Sequence, residues 1–342
     1  MTGTGPAGGT PLDPDRNLAL ELVRATEAAA ISSARYVGQG DKMQVDRAAV
    51  DAMRPVLGSV GMRGVVVIGE GEKDEAPMLF NGEQVGNGSD PEVDIAVDPV
   101  DGTTAAAKGL PDAVAVVGLS ERGTMFDPGP CVYMHKLVVP AAAADSVDPA
   151  APVADVLAAV ASTLGKERDE LTVAVLDRPR HADMVAQIRA AGVAIKFLLD
   201  GDVAGAIAVG QPGSGVDVLM GIGGTPEGVI AACALRCSGG AMFGRLYPRN
   251  EDERTAAVEF GHDLDRVLTT TDLVSGDNVF FAATGVTDGA LLRGVRFKQD
   301  WVTTLSLSMR SRSGAVRVIE TRHDRARSNL ITPRVSTPAG IR

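Results

Sequence analysis

The regular alternation of strand-like and helix-like segments between residues 155 and 236 most constrains how this chain can fold. Apolar residues at helical spacing predict four helices there, over 155–164, 181–190, 202–209 and 226–236. Short apolar runs predict strands between them, over 171–176, 193–199 and 216–220. That order predicts a parallel sheet with helices on both faces. Ligands of such sheets lie beyond the carboxyl ends of the strands, so the loops at those ends are candidate binding positions.

Composition limits the classes of protein and of partner. Of the 342 residues, 45% are hydrophobic but only 4% are aromatic, so we expect a core of Val, Ala, Leu and Ile. The 44 acidic and 33 basic residues give a net charge of −11, which argues against nucleic acid or an anionic membrane as partner. No apolar segment approaches the ~18 residues of a membrane span, and the N-terminus has no basic region followed by an apolar one. With only three cysteines, we expect free thiols and a cytoplasmic enzyme.

The segments outside the alternation predict four regions in the chain. Residues 1–13 are rich in Gly, Thr and Pro and predict a disordered terminus, and residues 145–152 mark a lobe boundary. We therefore expect a first lobe over 14–148, a second over 149–321 and a basic tail over 322–342. Helices are expected over 14–36, over 41–57 with Asp41 as N-cap, and over 252–268. The tail is expected to be disordered or to form an arm on a neighbouring subunit.

One stretch of the first lobe, residues 93–109, carries chemistry. A short apolar run, 95–97, predicts a strand that leads into the loop Asp98-Pro99-Val100-Asp101-Gly102-Thr103. Two carboxylates and a hydroxyl at the end of a strand could hold a hard divalent cation and orient a water. An ordinary turn is the alternative, because Asp, Pro and Gly are turn residues.

Three loops of the second lobe carry further candidates, each with a structural alternative. Arg178 and Arg180 precede a predicted helix and would suit a phosphate, or would be solvated at the surface. Asp200 would suit a helix cap. Glu227 follows Gly221–Gly224 in a standard helix start, with Thr225 as N-cap. The loop is no dinucleotide fingerprint, because Pro226 stands at the third glycine position.

These motifs together resemble a known family. The sequence Asp98-Pro99-Val100-Asp101-Gly102-Thr103 resembles the signature of the metal-dependent, lithium-sensitive sugar phosphatases, which include inositol monophosphatases and fructose-1,6-bisphosphatases. Residues 68–79 and 221–228 resemble the GlpX-type, or class II, fructose-1,6-bisphosphatases, and the similarity extends from about residue 41 to 249. It implies a mixed α/β (α+β) fold of two lobes, in which two sheets form a layered α-β-α-β-α arrangement.

The resemblance assigns roles by position. It implies Mg²⁺ or Mn²⁺, two or more ions per site, held by Asp46, Glu70, Asp98, Asp101 and Glu227, with Glu72 as a weaker candidate. Thr103 would position the water, assisted by Asp46 and Glu70, although spacing leaves Thr104 open. The implied substrate contacts are Lys42, Asp101, Gly102, Thr103, Tyr133, Arg178, Pro179, Arg180, Asp200, Gly201, Asp202 and Gly224. His135 departs from the pattern, because an acid is expected there. Without the family, Lys42 and Asp46 would be an exposed ion pair on one helix face.

The activity that the resemblance implies is hydrolysis of the 1-phosphate of fructose 1,6-bisphosphate to fructose 6-phosphate and phosphate, a step of gluconeogenesis. The first alternative is a related phosphatase acting on sedoheptulose 1,7-bisphosphate or inositol monophosphate. The second is a catalytically silent sensor of sugar phosphates. The family also suggests a homo-oligomer, with a tetramer among the options.

Overall fold

The computed structural model describes residues 18–71, 78–209, 211 and 213–328. The expected disordered segment 1–13, the start of the first predicted helix, Glu72 and most of the basic tail lie outside the described residues. Nine α-helices lie within them: α1 Ala19–Ser33, α2 Lys42–Leu57, α3 Thr103–Ala107, α4 Val153–Leu164, α5 Ala182–Ala190, α6 Val203–Val209, α7 Thr225–Ser238, α8 Glu251–Phe260 and α9 Thr270–Leu273.

The strands of the described residues form two sheets. In chain order they are β1 Arg63–Ile68, β2 Gln84–Val85, β3 Glu92–Asp101, β4 Val114–Glu121, β5 Tyr133–Val139, β6 Thr172–Leu176, β7 Ala194–Leu198, β8 Val218–Gly224, β9 Ala241–Leu246, β10 Leu268–Thr269, β11 Phe280–Gly285, β12 Arg296–Phe297, β13 Trp301–Arg310 and β14 Ala315–Asp324. The large sheet has eight strands in the order β12-β13-β11-β4-β3-β1-β2, with β14 paired to β13. The small sheet has six, in the order β10-β9-β5-β8-β6-β7.

Helices cover these sheets in five layers. Helices α1 and α2 pack on the outer face of the large sheet, α6 and α7 lie between the two sheets, and α4 and α5 pack on the outer face of the small sheet. The predicted mixed fold with an α-β-α-β-α arrangement is confirmed by this order. The cores consist mainly of Val, Ala, Leu and Ile, as the low aromatic content predicts.

Strand β3 shows why its sequence is a continuous apolar run. Ile95 and Val97 face the core under α1 and α2, whereas Ala96 faces the core between the sheets. Since successive side chains of a strand point to opposite faces, both faces must be apolar. This central position in the large sheet brings the end of β3 next to the small sheet.

The prediction of a parallel sheet for the second lobe is wrong for half of that sheet. Strands β6, β7 and β8 pair in parallel, but β5 is antiparallel to β8 and β9, and β10 is antiparallel to β9. Strands β5 and β9 lie outside the alternating segment, and their pairing depends on long-range contacts that the local pattern does not encode. The ladder is therefore mixed.

The division of the chain at residue 148 stays a prediction, but sheet membership does not follow it. Strand β5 precedes the boundary and belongs to the small sheet. Strands β11 to β14 follow the boundary and pair within the large sheet. The chain thus crosses between the sheets more than once.

Three predicted element boundaries also need correction. The helix expected over 252–268 ends at Phe260, because Gly261 adopts a left-handed conformation with φ of 101°. Strand β8 extends through Gly221–Gly224, which were expected to be a loop. Gly224 is therefore the N-cap of α7, and Thr225 is its first residue rather than its cap.

Candidate active site

The first carboxylates of the site lie at the end of β3. Asp98 pairs with Val116 and Asp101 with Val114, so one extra residue forms a bulge in β3, and the strand does not end at Asp98 as expected. Asp98 Oδ1 accepts a hydrogen bond from the Val100 amide at 2.9 Å. The bulge changes the direction of the chain where the two carboxylates emerge.

Gly102 turns the chain from β3 into α3. It has φ of 89°, a left-handed conformation that favours glycine, and α3 begins at the next residue. Thr103 is therefore at the start of the helix, half-buried, and its hydroxyl makes no hydrogen bond with any residue that the structure describes. This hydroxyl is free to bind a ligand or water.

Two further carboxylates come from the large-sheet side. Asp41 caps α2 as predicted, accepting a hydrogen bond from the Gln44 amide at 3.1 Å, and Asp46 lies half-buried on that helix. Glu70 follows the end of β1, where its amide donates to the Leu79 carbonyl at 2.9 Å. A backbone hydrogen bond thus fixes the chain at Glu70.

Glu227 approaches from the layer between the sheets, in the first turn of α7. Its Oε2 atom is buried and has no hydrogen-bond partner among the residues that the structure describes. A Cβ atom on Gly224 would lie 1.8 Å from this oxygen, so only glycine leaves room beside the carboxylate. A buried carboxylate oxygen without a donor is costly, and a cation would satisfy it.

The carboxylates perturb each other. Burial, then the negative charges of Asp46 and Glu227, raise the pKa of Glu70 to about 8. Burial, followed by repulsion from Asp101 and Glu70, raises the pKa of Asp98 well above its usual range. Such mutual repulsion shows that the side chains converge on one region, where the charged forms lack compensation.

The other members of the cluster behave in the same way. Burial raises the pKa of Asp46, and burial followed by the charge of Asp202 raises the pKa of Asp101. Burial also raises the pKa of Glu227, although the nearby Lys136 opposes the shift. The structure therefore brings together the five residues that the resemblance assigned to metal: Asp46, Glu70, Asp98, Asp101 and Glu227.

Sequence reasoning missed a buried cation beside this cluster. Lys136 is 4% exposed, and its Nζ lies 2.8 Å from both carboxylate oxygens of Asp202, itself 5% exposed. The signal was present, because a lysine inside an otherwise apolar strand must find a carboxylate. Asp202, expected to contact sugar hydroxyls, has both oxygens engaged with Lys136; its sugar contact stays a prediction.

Asp200 links the small sheet to α3. Its Oδ2 accepts from the Thr104 amide and its Oδ1 from Arg178 Nη2, both at 2.9 Å. Across Gly201, Asp101 Oδ2 accepts from the Val203 amide at 3.1 Å, and a Cβ on Gly201 would lie 2.6 Å from Asp101. The Asp200-Gly201-Asp202 loop is therefore in direct contact with the end of β3.

Tyr133, at the start of β5, makes cation–π contacts with two arginines. The Arg180 guanidinium lies 5.4 Å and that of Arg249 5.5 Å from the centre of the Tyr133 ring. Arg180 also donates to the Ile222 carbonyl through Nε and Nη2, at 3.1 and 2.7 Å. Pro179 begins the short 3₁₀-helix that presents Arg180. The arrangement suits an anion that approaches Tyr133.

Two predicted residues are not tied into the cluster. Lys42 begins α2 as an exposed residue and forms no ion pair with Asp46 or any other described residue, so the simple surface pair is not observed. His135 lies on the opposite side of β5 from Lys136.

Among the described residues, no three His, Cys, Asp or Glu side chains are arranged as a ready-made metal site.

The cysteines take no part in this site. Cys131, Cys233 and Cys237 are buried free thiols, as expected. Burial, and secondarily its neighbour Cys237, raises the pKa of Cys233, and burial raises that of Cys237 to about 12. No helix in the described part of the chain is long and apolar enough to cross a membrane.

Comparison with known proteins gives consistent relatives. Residues 16–323 match the model of a family described as bacterial fructose-1,6-bisphosphatase, glpX-encoded. A Synechococcus protein named D-fructose 1,6-bisphosphatase class 2/sedoheptulose 1,7-bisphosphatase is 43% identical over 334 residues, covering 90% of this chain and 96% of that protein. Fructose-1,6-bisphosphatase 1 class 2 of Escherichia coli is 43% identical over 321 residues, covering 90% and 95%.

Similarity to solved structures is weaker. The suhB protein of Bartonella henselae aligns with a TM-score of 0.33 at 17% identity, covering 57% of this chain and 72% of that one. An extragenic suppressor from Pyrococcus furiosus aligns with a TM-score of 0.28 at 14% identity, covering 56% and 68%.

Proposed function

The chain belongs to the family of bacterial, glpX-encoded fructose-1,6-bisphosphatases, and we propose that it hydrolyses the 1-phosphate of fructose 1,6-bisphosphate, giving fructose 6-phosphate and inorganic phosphate. The observation that carries the proposal is the convergence of five mutually repelling carboxylates beside the hydroxyl of Thr103, which has no hydrogen-bond partner among the described residues. In cells this reaction would serve gluconeogenesis.

A divalent cation, Mg²⁺ or Mn²⁺, fits the cluster. Carboxylate oxygens are the donors that such hard cations prefer, and Glu227 Oε2 is buried and makes no hydrogen bond with a described residue. The proposed ligands are Asp46, Glu70, Asp98, Asp101 and Glu227. When bound, two or more such ions would neutralise charge on the phosphoryl oxygens and make water easier to deprotonate. Without them, the carboxylates repel one another.

Thr103 would orient the attacking water through its hydroxyl. The water oxygen bonds to phosphorus as the bond from phosphorus to the C1 oxygen breaks, and that oxygen takes up a proton. Asp46 or Glu70 would accept the proton that the water loses. The hydroxyl of Thr104 is the alternative group for orienting the water. The backbone amide of Thr104 already donates a hydrogen bond to Asp200.

The sugar and its second phosphate would bind along the edge of the small sheet. Arg180 stacks against Tyr133 and carries the positive charge that a phosphate needs. Arg178 is held against Asp200, and Gly201 and Gly102 allow the loops to approach each other closely. The proposed contacts are Lys42, Asp101, Gly102, Thr103, Tyr133, Arg178, Pro179, Arg180, Asp200, Gly201, Asp202 and Gly224.

Phosphate release from a panel of substrates tests the proposal. The purified chain, stripped of metal and then supplied with Mg²⁺ or Mn²⁺, is assayed with fructose 1,6-bisphosphate, sedoheptulose 1,7-bisphosphate and inositol monophosphate. We expect release from fructose 1,6-bisphosphate only when a cation is present. The double name of the Synechococcus relative makes sedoheptulose 1,7-bisphosphate the second candidate substrate. Binding of sugar phosphates without any release would indicate a sensor.

We also propose that the enzyme is cytoplasmic and forms a homo-oligomer. Three free thiols suit a reducing compartment. The oligomer rests on the family resemblance, and light scattering coupled to size-exclusion chromatography tests it. A mass equal to that of one chain, 35.3 kDa, would contradict the proposed association.

A further inference from the structure

A cavity, which we call the outer pocket, lies on the opposite face of the small sheet from the carboxylate cluster. Its volume is about 430 Å³, within the range of small-molecule sites. Strands β5, β8 and β9 form its floor, and helix α5 and residues 149–153 form its walls. None of the five clustered carboxylates lines it.

The alternation of side chains in β5 separates the two sites. Lys136 points between the sheets, where it pairs with Asp202. Its neighbours His135 and Leu137 therefore point to the outer face. Leu137 accordingly packs with the outer core that includes α4 and α5. The sheet stands between the outer pocket and the carboxylate cluster, so the pocket is a distinct site.

The floor of the outer pocket is apolar at one end. Leu137 lies opposite Met220 on β8 and opposite Phe243 on β9, and all three line the cavity. Met184 of α5 and Val156 of α4 line it as well. An aromatic ring or a short aliphatic chain would be desolvated favourably against this surface.

The next row of the floor carries positive charge. His135 lies opposite Ile222 and Arg245, and Arg245 is exposed and makes no hydrogen bond or ion pair with a described residue. Arg180 also lines the cavity, and Asp183 is the one carboxylate among the described residues that line it. The described lining of the outer pocket thus includes two arginines and one aspartate.

His181 lines the outer pocket as a neutral ring whose two nitrogens are both hydrogen-bonded to the backbone. Its Nδ1 lies 2.7 Å from the Leu176 carbonyl, and its Nε2 accepts from the Ile222 amide at 2.8 Å, so the ring donates through Nδ1 and is neutral. His135 makes no hydrogen bond with a described residue and packs edge-on against Tyr247 at 4.9 Å. The ring of His135 is therefore available to a ligand.

We propose that the outer pocket binds a small organic anion with an apolar body. A phosphonate, phosphate or carboxylate head would pair with Arg245 beside His135, and the apolar body would lie on Leu137, Met220 and Phe243. A guanidinium binds such heads through two parallel hydrogen bonds. The pocket shares Arg180 with the proposed sugar-phosphate contacts, but the proposed head group pairs with Arg245, which has no part in the phosphatase reaction.

Histidine NMR provides a direct test, because the chain has only four histidines, His135, His181, His262 and His323. Protein labelled with ¹³C at the histidine rings is titrated with phenylphosphonate, which cannot be hydrolysed and combines an anionic head with a ring. We expect the His135 signal to shift and saturate, while those of His262 and His323 stay unchanged. Benzoate in parallel shows whether a carboxylate head serves equally.

Variants separate the outer pocket from the carboxylate cluster. Arg245→Ser should weaken phenylphosphonate binding about tenfold or more. The control is Arg317→Ser, which removes an exposed arginine from β14, away from the pocket, and should leave binding unchanged. Met184→Trp should abolish binding by filling the cavity, and methylphosphonate should bind more weakly because it lacks the ring. An unshifted His135 signal, or equal affinity in wild type and Arg245→Ser, would overturn the proposal.

Discussion

Thr103 owes its position to two features of the chain around it. The bulge in β3 and the left-handed Gly102 place its hydroxyl at the start of α3, next to Asp98 and Asp101. The hydroxyl has no described protein partner, whereas the amide of the neighbouring Thr104 is bonded to Asp200. The backbone thus fixes the position of Thr103, while its hydroxyl oxygen has no described hydrogen-bond partner. Such a hydroxyl is suited to orient water.

Replacing Thr103 by Ala should lower kcat at least about 100-fold while binding of fructose 1,6-bisphosphate is retained, because the group that orients the attacking water is lost but the anion contacts remain. Steady-state phosphate release and calorimetric binding measure the two effects. Thr103→Ser should recover much of the activity, and Thr104→Ala is the matched comparison. Normal turnover in Thr103→Ala, with loss in Thr104→Ala, would move the role to Thr104.

Lys136 shows what a residue-by-residue interpretation of the sequence can overlook. It occupies an inward position of β5, where the pattern predicts an apolar side chain, and it forms a buried ion pair with Asp202. Burial raises the pKa of Asp101 and of Glu227, and the positive charge of Lys136 opposes both increases. Its partner is 66 residues away in the sequence, so spacing could not identify it.

Substituting Lys136 with Met should reduce the free energy of unfolding by about 3–5 kcal/mol, since it leaves the Asp202 carboxylate buried without a cation. Urea denaturation of the metal-free protein measures the loss. The double variant Lys136→Met with Asp202→Asn should recover part of it, because the uncompensated charge is gone. A single variant as stable as wild type would show that the pair contributes nothing.

At the scale of elements, local patterns predicted most helices and strands but not how the strands pair. The predicted N-cap at Asp41 is confirmed, and strands β6, β7 and β8 are parallel as the alternation predicts. The antiparallel pairing of β5 with β8 depends on contacts more than 80 residues apart, which no local pattern contains. The segment Gly221–Gly224 was wrongly predicted to be a loop. Glycines occur in loops, but they also occur in strands where the backbone must approach a side chain closely.

The start of α7 illustrates the same ambiguity. A glutamate in the first turn of a helix stabilises the helix dipole, so Glu227 has a structural explanation from its sequence alone. The structure adds that Oε2 is buried and accepts no hydrogen bond from the described part of the chain, which a structural role does not require. The two interpretations differ in what happens when the charge is removed.

Replacing Glu227 by Gln should weaken activation by Mg²⁺ or Mn²⁺ without lowering the melting temperature of the metal-free protein. The amide fills the same space beside Gly224, and the loss of a buried charge removes repulsion. Glu251→Gln, in the first turn of α8, is the control for the helix-dipole effect. A sharp fall in melting temperature with unchanged metal activation would instead assign Glu227 a purely structural role.

In the whole molecule, the carboxylate cluster draws on three of the five layers: the outer helices of the large sheet, the large sheet itself and the helices between the sheets. Asp46 comes from α2, Asp98 from β3, Glu70 from the segment after β1, and Glu227 from the helix between the sheets. A cation bound by all of them would therefore hold several layers together. Because this convergence requires the folded chain, the sequence could indicate the residues through family resemblance but not their electrostatic state.

The stability of the metal-free molecule should consequently fall as pH rises from about 4.5 to about 8. Glu70 ionises near 4.5 in the unfolded chain, whereas in the fold burial, Asp46 and Glu227 raise its pKa to about 8. Over that interval the folded state binds more protons than the unfolded state, so the free energy of unfolding decreases with pH. The raised pKa values of Asp98 and Asp101 act in the same direction.

Denaturant unfolding of chelator-treated protein across this pH interval measures the slope, and the same series with Mn²⁺ should lose it, because a cation binds the ionised form and stabilises the fold. Glu70→Gln should flatten the metal-free slope, whereas Glu259→Gln, on the exposed side of α8, should not. If metal-free stability instead increased with pH, the carboxylates would already be compensated within the protein, and the need for a cation at this site would disappear.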